Sequence, residues 1–336
     1  MLFEPTTIAG PARLMGETLK TNYSQDPMPV YLAAGIDPSR LDVSGARYPY
    51  SAMQRLWQAC VDTTGDPCFG LVAGKKIRPT TFHALGFSWI ASRTLLESLQ
   101  RFVRYSKLLS TAPALINLQK EGELWMLEDH ALQEGKRDAH PAALDAFFMA
   151  VVSLCRQASD AHFCPAELRL CHPDYGQPER YIEAFNAPVL FNRKYDRILF
   201  HDQDLEKQLP GDNLELALAN DRIAEDYIAA LDPNDISTEV RKILIELLPS
   251  GEANQQQIAQ HMNRSLSTLQ RQLSTEGTSY KIIREQTRQE LAEQYVREGR
   301  YSLSQVAYLL GFSDQSNFSR AFRRWTGHSP GNYARH

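Results

Sequence analysis

The first hundred residues carry hydrophobic side chains at the three-to-four-residue spacing of amphipathic helices. Two stretches show the repeat clearly, at Met53, Leu56, Trp57, Cys60 and Val61 and again at Leu95, Leu99, Phe102 and Val103. Loops rich in glycine and proline, such as residues 65–67, separate the helical stretches. The pattern predicts that residues 8–110 are mainly helical.

The pattern changes after Ala112, where the chain shows the short apolar runs and turns of strands. Strands are predicted at residues 115–120, 124–128, 167–171, 188–191 and 197–200. Helices are predicted at 139–158, which carries a stripe of leucine, valine and phenylalanine, and at 178–185. Residues 1–210 are therefore predicted to form one α+β domain, or a helical half followed by a mixed half.

A further amphipathic helix is predicted at residues 213–231. Its apolar positions near one face are Leu214, Leu218, Tyr227 and Leu231. This helix can pair with its copy in a homodimer or pack on its own domain. The next four residues, 232–235, break the repeat and are predicted to be a linker. We therefore assign 211–237 to a helix and linker, and 238–336 to a helical domain.

Residues 302–330 form a nearly complete helix-turn-helix pattern, with a short helix, a glycine turn and a second helix. Gly311 supplies the turn. The apolar positions that hold the two helices together are Val306, Ala307, Leu310, Phe318 and Phe322. A protein builds this unit to lay the second helix in the major groove of DNA. The alternative is a three-helix packing unit with a purely structural role, which needs no exposed polar face.

The second helix of this pattern carries polar residues that are predicted to contact DNA. Near its exposed start lie Gln315, Ser316, Asn317 and Arg320. Glutamine and arginine can bind adenine and guanine edges at two points. Arg323 and Arg324 lie further along, where phosphate contacts are expected. A solvated helix face is the alternative for these two arginines.

A weaker copy of the pattern precedes it at residues 255–273. Asn263 and Arg264 form the predicted turn, and Ser265 is the expected N-cap of the recognition helix. Leu269 and Leu273 are expected to face inward, and Gly277 is expected to end the helix. The residues left to reach base edges are Ser267, Thr268 and Arg271.

A predicted helix at residues 279–296 connects the two patterns. Its length is roughly 27 Å at about 1.5 Å per residue, which is close to the ~34 Å of one turn of DNA. A rigid connector of this length can place both recognition helices in successive major grooves on one face of the duplex.

Composition and charge agree with a DNA-binding protein. The 336-residue chain is 43% hydrophobic and 23% charged, as ordinary soluble globular proteins are. Its net charge is −4, but residues 250–336 hold eleven Lys and Arg against seven Asp and Glu. A module that binds phosphates requires such a local excess of positive charge.

Other sequence features point to the cytoplasm. No window approaches the ~18 consecutive apolar residues of a membrane helix, and the N-terminus lacks the pattern of a signal peptide. The five cysteines are odd in number and have no framework spacing, which is typical of a reducing compartment. We therefore expect no contact with a membrane.

Four aromatic residues are candidates for a small-molecule pocket, namely Phe82, Phe87, Trp89 and Tyr105. Aromatic residues at such spacing also fill ordinary cores, so both interpretations stay open.

Two other sets suggest metal or enzyme chemistry only at first sight. The first set consists of Cys155, Cys164, Cys171 and His172. The second set consists of His130, His140 and His162. The first set fits no short-loop zinc pattern. Nothing in the sequence supplies a nucleophile or an oxyanion site beside the second. We therefore predict no catalytic residue, no metal and no cofactor, and we expect that the chain is not an enzyme.

The C-terminal third, from about residue 239 to 336, resembles the DNA-binding domain of the AraC/XylS family of bacterial transcription regulators. The residues that carry this resemblance are 303–327, Ser329 and Pro330, with Arg288 and Ala292 in the connecting helix. The N-terminal domain resembles the non-cupin effector domain of ornithine-utilisation-type members of that family. This second resemblance rests on Leu56, Trp57, residues 64–71, Leu85, Gly86 and residues 185–191.

The resemblance implies an α+β N-terminal sensor domain and an all-α C-terminal domain with two helix-turn-helix motifs joined by a long helix. It implies a transcription regulator, usually an activator, that responds to a small molecule. The expected partners are double-stranded promoter DNA, an unidentified small-molecule effector, RNA polymerase and a second copy of the chain. One alternative is a ligand-independent regulator controlled by a protein partner or by abundance. Another is an enzyme fused to a DNA-binding domain, for which residues 1–205 offer no catalytic motif.

Overall fold

The computed structural model describes residues 4–43, 45–112, 114–131, 139–231, 236–250, 253–276 and 278–333. The chain divides into two compact units, Met1–Ile228 and Ala229–His336. The first unit takes in most of the helix predicted at 213–231, which was expected to belong to a connecting segment, 211–237, between the two domains. The predicted linker at 232–235 lies outside the described residues.

The first unit combines helices with two sheets. Its elements in chain order are β1 (Thr6–Ile8), α1 (Gly10–Asn22), α2 (Pro27–Ala34), β2 (Arg47–Pro49), α3 (Tyr50–Thr64), α4 (Phe69–Lys75), α5 (His83–Ile90), α6 (Leu95–Arg104), α7 (Ser106–Leu109), β3 (Ala114–Glu121), β4 (Leu124–Ala131), α8 (Pro141–Ala158), β5 (Glu167–Arg169), α9 (Pro178–Phe185), β6 (Val189–Leu190), β7 (Asp196–His201), α10 (Asp202–Leu205) and α11 (Leu214–Leu231). Short 3₁₀ turns lie at Pro38–Arg40 and Pro79–Phe82.

Five strands form one sheet in the order β3-β4-β7-β5-β6. Neighbouring strands are antiparallel except β5 and β6, which are parallel. Gly122 has a φ of 64° in the tight turn between β3 and β4, where the sequence predicted a turn. The sheet shares one apolar core with α6 and α8, which includes Leu99, Leu127 and Phe148. This arrangement confirms the predicted α+β class.

A second, smaller sheet was not predicted. The strands β1 and β2 pair antiparallel, with Thr7 opposite Tyr48. Each strand has three residues, which is too short for an alternating pattern to stand out. The neighbouring helices α1, α2 and α3 pack in a second core that includes Met15, Tyr31 and Leu56, together with residues of α4 and α8.

Helices α4 and α8 lie close together because two glycines face the contact. A Cβ on Gly70 would lie 2.1 Å from the backbone oxygen of Ala142, and a Cβ on Gly74 would lie 2.6 Å from Cβ of Met149. A side chain at either glycine would force the helices apart, since the packed interior has no spare room. The two helices therefore form one closely packed wall.

Helix α11 is held on the first unit by a buried ion pair. Nε of Arg101 in α6 donates to both carboxylate oxygens of Asp221, at 3.2 and 3.0 Å, and each residue is only 5% exposed. Arg101 also donates to the Ser92 hydroxyl at 2.9 Å. Directly after the end of α6, Tyr105 donates to the carboxylate of Glu225 at 3.1 Å. Polar contacts therefore fix this helix at two successive turns.

The leucine stripe predicted for α11 is only half-buried. The residues of α11 that are buried are Ala217, Asn220, Asp221 and Ala224, whereas Leu214 and Leu218 are partly exposed. The buried face consists of small and polar residues. The spacing of large hydrophobic side chains along the sequence therefore does not indicate this face.

The second unit is helical throughout its described part beyond α11. Its elements are α12 (Ile236–Leu247), a 3₁₀ turn (Leu248–Ser250), α13 (Gln255–His261), α14 (Leu266–Thr275), α15 (Tyr280–Glu298), α16 (Leu303–Leu309), α17 (Gln315–Thr326) and α18 (Pro330–Tyr333). The two helix-turn-helix motifs are α13–α14 and α16–α17, and α15 is the long helix between them. This confirms the all-α class predicted for the C-terminal region.

Helix α15 belongs to both hydrophobic cores of the second unit. Tyr280 and Ile283 lie in the core around α12, α13 and α14. Ala292 and Val296 lie in the core around α16 and α17, and Leu291 packs against both cores. One continuous helix therefore fixes the two motifs relative to each other.

Asp221→Asn tests the ion pair that holds α11. The substitution keeps the shape of the side chain but leaves Arg101 buried without its main counter-charge, so we expect a loss of roughly 3 kcal/mol in the free energy of unfolding. Urea unfolding followed by tryptophan fluorescence measures this loss, because three of the four tryptophans lie in the first unit. Asp226→Asn, at an exposed position of the same helix, is the control. Equal midpoints for the two variants would show that the pair contributes little.

Candidate nucleic-acid interface and ligand cavity

The second helix-turn-helix motif is built on a glycine turn and two buried rings. Gly311 has a φ of 68°, a conformation that glycine adopts without strain. A Cβ there would also lie 2.8 Å from the backbone oxygen of Leu248. Phe318 and Phe322 are fully buried on the inner face of α17. The predicted turn and anchors are thus confirmed, and the opposite face of α17 is left to solvent.

The start of α17 is ordered by its own side chains. Asp314 accepts a hydrogen bond from the backbone N–H of Asn317 at 2.7 Å, and this bond holds the pKa of the Asp314 carboxyl below its usual value. The carboxylate also accepts from the side-chain amide of Asn317 at 2.6 Å. Arg320 in turn donates to the side-chain oxygen of Asn317 at 2.7 Å. The helix cap therefore orients Asn317, and Asn317 orients Arg320.

The predicted base-reading residues share the accessible side of α17. Gln315, Ser316 and Arg320 are exposed, and Asn317 is partly exposed. The hydroxyl of Ser304 in α16 donates to the side-chain oxygen of Gln315 at 2.6 Å. The supporting helix thus orients Gln315, whose amide and the Arg320 guanidinium are groups that can bind base edges at two points.

The two arginines further along α17 have different surroundings. Arg323 is exposed, as a phosphate contact requires. Arg324 donates to the carboxylate of Glu285 in α15 at 3.0 Å, and Trp325 donates to the same carboxylate at 3.3 Å. Arg324 therefore ties α17 to α15, a role that the sequence did not predict.

The first motif has the predicted cap and inner face. Ser265 accepts a hydrogen bond from the backbone N–H of Thr268 at 3.2 Å, and Leu269 and Leu273 are buried. Asn263 has a φ of 51° in the predicted turn. Gly277, the predicted end of the helix, lies outside the described residues.

The polar face of α14 includes one residue that the prediction missed. Ser267 and Arg271 are exposed, and Thr268 is half-buried with its hydroxyl 2.8 Å from the Ser265 hydroxyl. Gln270 is also exposed. It lies three residues after Ser267 and beside Arg271, so helical spacing alone places it on the same side.

Helix α15 is joined to the second motif by an arginine. Arg288 donates to the backbone oxygen of Gly311 at 2.9 Å, and its guanidinium carbon lies 4.7 Å from the centre of the Phe312 ring. Burial lowers the pKa of Arg288. With 19 residues, α15 is roughly 28 Å long at about 1.5 Å per residue. Arg288 therefore ties α15 to the turn of the second motif.

The first unit contains a cavity of about 220 Å³. Its lining comes from the helices α1, α3, α4, α6, α7 and α8, from the strands β1 and β3, and from the loops between these elements. The aromatic lining residues are Tyr50, Trp57, Phe82, Phe102 and Phe147. A concave apolar site with a few polar groups is the usual form of a small-molecule site.

The expectation that Phe82, Phe87, Trp89 and Tyr105 share a pocket needs correction. Phe82 lines this cavity, whereas Phe87 is 40% exposed and Trp89 is fully buried in the core. Tyr105 is buried with its hydroxyl directed at Glu225. Helical spacing identifies rings on an inner face, but it does not separate rings that face a void from rings that face other side chains.

The candidate metal and catalytic residues have ordinary structural surroundings where the structure describes them. Nδ1 of His140 accepts from the backbone N–H of Ala142 at 3.1 Å and caps α8. The Cys155 thiol is buried, which raises its pKa, and the side chain of His130 lies outside the described residues. The described residues contain no cluster of histidine, cysteine and acidic groups that could hold a metal ion.

None of the helices in the described ranges has the length and apolar character needed to cross a membrane.

Comparisons with known proteins match both units. The model for the N-terminal arabinose-binding domain of AraC transcription regulator matches residues 25–209, and that for a helix-turn-helix domain matches residues 258–336. The ornithine utilization regulator of Pseudomonas aeruginosa is 27% identical over 322 residues, which cover 94% of this chain and 92% of the relative. The regulator VirS of Mycobacterium tuberculosis is 32% identical over 166 residues, 48% of this chain and 47% of the relative. The crystal structure of the transcriptional regulator CdpR from Pseudomonas aeruginosa covers 97% of this chain and 98% of its own chain, with 21% identity and a TM-score of 0.47.

Arg320→Ala and Arg323→Ala separate base contacts from phosphate contacts. We expect Arg320→Ala to cost roughly 1–3 kcal/mol on a duplex selected by the wild-type protein, and to relax the preference at one position. Arg323→Ala is expected to weaken binding to every duplex and to reduce the salt dependence by about one counterion. Titrations against the selected and a scrambled duplex measure both effects, with Arg222→Ala at an exposed position of α11 as the control. An equal loss on both duplexes for Arg320→Ala would assign that residue to phosphate instead.

Proposed function

This chain belongs to the AraC family of transcription regulators and is a DNA-binding regulator, and we propose that it engages promoter DNA with both helix-turn-helix motifs at once. The observation that carries this proposal is the sharing of α15 by the two hydrophobic cores. A helix of roughly 28 Å comes close to the ~34 Å of one DNA turn. Recognition helices fixed at its two ends suit successive major grooves on one face of the duplex.

Within each recognition helix, we assign the exposed polar face to DNA. In α17 the base-reading residues are Gln315, Ser316 and Arg320, with Asn317 holding Arg320 in place. Arg323 contacts phosphate, whereas the ion pair of Arg324 with Glu285 makes its contribution mainly structural. In α14 the contacts come from Ser267, Thr268 and Arg271, to which the structure adds Gln270.

We assign the cavity of the first unit to the small-molecule effector. Its lining includes residues of α6, and α6 also carries Arg101, which holds α11 through Asp221. A ligand that binds one arrangement of these helices better than another shifts the population toward that arrangement. The cavity favours this mechanism over a ligand-independent regulator controlled by a partner or by abundance. We further propose that the protein activates transcription rather than represses it, and that it contacts RNA polymerase, as members of this family usually do.

The protein acts in the cytoplasm, where promoter DNA is accessible, and it is not an enzyme. The relatives are described as regulators, and His140, one of the histidines considered for chemistry, caps α8. No cofactor enters the proposed mechanism.

We place the contact between two copies of the chain on α11. Leu216 and Ile223 are 48% and 49% exposed, and they lie two turns apart on one side of the helix, outside its buried face. The apolar stripe predicted from the sequence offers Leu214, Leu218 and Leu231 for this contact. Because Leu218 is half-buried, Leu216 and Ile223 are the better pair. A dimer formed here presents two DNA-binding units to one promoter, by an interface in which both copies use the same surface.

Hydroxyl-radical footprinting tests the engagement of both motifs. We expect the full chain to protect two major-groove segments about one turn apart for each bound DNA-binding unit. Arg271→Ala is expected to weaken protection of one segment, and Arg320→Ala that of the other. Protection of a single short segment by the wild-type protein would mean that only one motif enters the groove.

Leu216→Glu combined with Ile223→Glu tests the dimer contact. Both side chains are exposed, so the fold is retained, while two charges in the contact oppose association. We expect sedimentation of the variant to give the monomer mass at concentrations where the wild-type protein is a dimer. Ala229→Glu adds a charge at an exposed position of α11 away from this pair and serves as the control. A double variant that sediments as the wild type does excludes this contact.

A further inference from the structure

The walls of the cavity are mainly aromatic and aliphatic. Trp57 comes from α3, Phe82 from the 3₁₀ turn before α5, Phe102 from α6 and Phe147 from α8. The centre of the Phe102 ring lies 6.3 Å from that of Phe82 and 5.6 Å from that of Phe147. Rings in such a cluster favour further edge-on and offset contacts with an aromatic group. The lining is therefore suited to an apolar body, and best to a ring.

Charge is missing from the described lining of the cavity. Its polar side chains, apart from the indole of Trp57, are the uncharged Thr7, Tyr50, Gln54, Ser106 and Ser110. A ligand ion in the cavity would lose water without meeting a counter-charge on these side chains, and burial of an unpaired ion is unfavourable. The lining therefore selects against ammonium and carboxylate groups.

Donors on the lining without a hydrogen-bond partner within the described ranges include the Gln54 amide, the Trp57 indole and the Ser106 hydroxyl. Oε1 of Gln54 accepts a hydrogen bond from the backbone N–H of His140 at 2.6 Å. This bond fixes the orientation of the side-chain amide, whose NH2 group has no partner among the described residues. The indole N–H of Trp57, one turn further along α3, is likewise without one among the described residues. By contrast, the Thr7 and Ser110 hydroxyls lie 3.4 Å apart and pair with each other. A ligand oxygen that accepts a hydrogen bond would satisfy Gln54 or Trp57.

We propose that the cavity binds an uncharged, mainly apolar small molecule that carries a ring and a hydrogen-bond acceptor such as an alcohol or carbonyl oxygen. The proposal rests on the effector role given to this cavity above. A pentose, the ligand class in the description of the matching family, carries a hydroxyl on nearly every carbon, and the lining has few partners for them. The amino acid in the name of the relative carries charges that the lining does not meet.

Three probes with the same ring and different charge test the ligand class. They are 2-phenylethanol, phenylacetate and phenethylamine, titrated into the full chain by calorimetry, with L-arabinose and L-ornithine alongside. We expect 2-phenylethanol to bind at least tenfold more tightly than any of the others. Binding of either ion, of the sugar or of the amino acid as tightly as the alcohol would overturn the proposal. No binding of the alcohol up to its solubility would overturn it as well.

Gln54→Glu tests whether the binding occurs in this cavity. The new carboxylate keeps an acceptor for the His140 N–H but adds a negative charge to the lining, so we expect the preference to move at least tenfold from 2-phenylethanol toward phenethylamine. Gln58→Glu makes the same change one turn along α3, at an exposed position that does not line the cavity, and is expected to keep the wild-type preference. An unchanged preference in folded Gln54→Glu, or the same change in both variants, would place the bound probe elsewhere.

Ala143→Leu gives a second test that adds no charge. The larger side chain occupies part of the cavity, and we expect at least a tenfold loss of 2-phenylethanol binding, whereas Ala33→Leu at an exposed position of α2 is expected to have no effect. Circular dichroism establishes that each variant is folded. Wild-type affinity in folded Ala143→Leu would contradict the assignment of the cavity.

The ligand class and the effector role can fail separately. DNA affinity is measured with and without saturating 2-phenylethanol on the selected duplex. Binding in the cavity with no change in DNA affinity would remove the effector role of such a ligand and leave the ligand class intact. A change in DNA affinity caused by L-arabinose or L-ornithine, and lost in Ala143→Leu, would keep the effector role and overturn the ligand class.

Discussion

Both recognition helices depend on one constraint, which is that α15 lies in two hydrophobic cores at once. Ile283 is buried in the core of the first motif, and Ala292 and Val296 are buried in the core of the second. Neither core can turn about α15 without exposing apolar surface to water. The hydrogen bond from Arg288 to the backbone oxygen of Gly311 adds a polar tie at the turn, where the direction of α17 is set. The spacing of the two recognition helices is thus a property of packing, and the DNA contacts that we propose for their exposed polar residues depend on it.

The first unit relies on polar contacts in a different way. Its last helix, α11, buries small and polar residues, and the Arg101–Asp221 pair supplies the contact that hydrophobic area does not. A buried ion pair is a modest source of stability compared with apolar residues of the same size, but the loss of one partner is strongly unfavourable. The main effect of such a pair is therefore to hold α11 in one position, and its net contribution to the stability of the fold is smaller.

The sequence predicts those parts of the molecule in which the pattern repeats locally. The spacing of Phe318 and Phe322, with a glycine turn before them, is sufficient to place α17 and its exposed face. Prediction fails where the deciding neighbour is distant in the chain. Tyr105 meets a carboxylate 120 residues away, so its helical spacing could not distinguish a cavity wall from a core position. Arg324 meets Glu285, 39 residues earlier, and no local pattern separates it from Arg323. The base-reading roles of the exposed residues stay predictions.

The glycines of α4 have a consequence for how the cavity can respond to a ligand. With Gly70 and Gly74 packed directly on α8, the side of the cavity formed by these two helices resists deformation. Another side of the cavity includes α6, where Phe102 lines the cavity and the preceding residue, Arg101, holds α11 through Asp221. A ligand that displaced α6 relative to the α4–α8 side would therefore act on α11 through this ion pair.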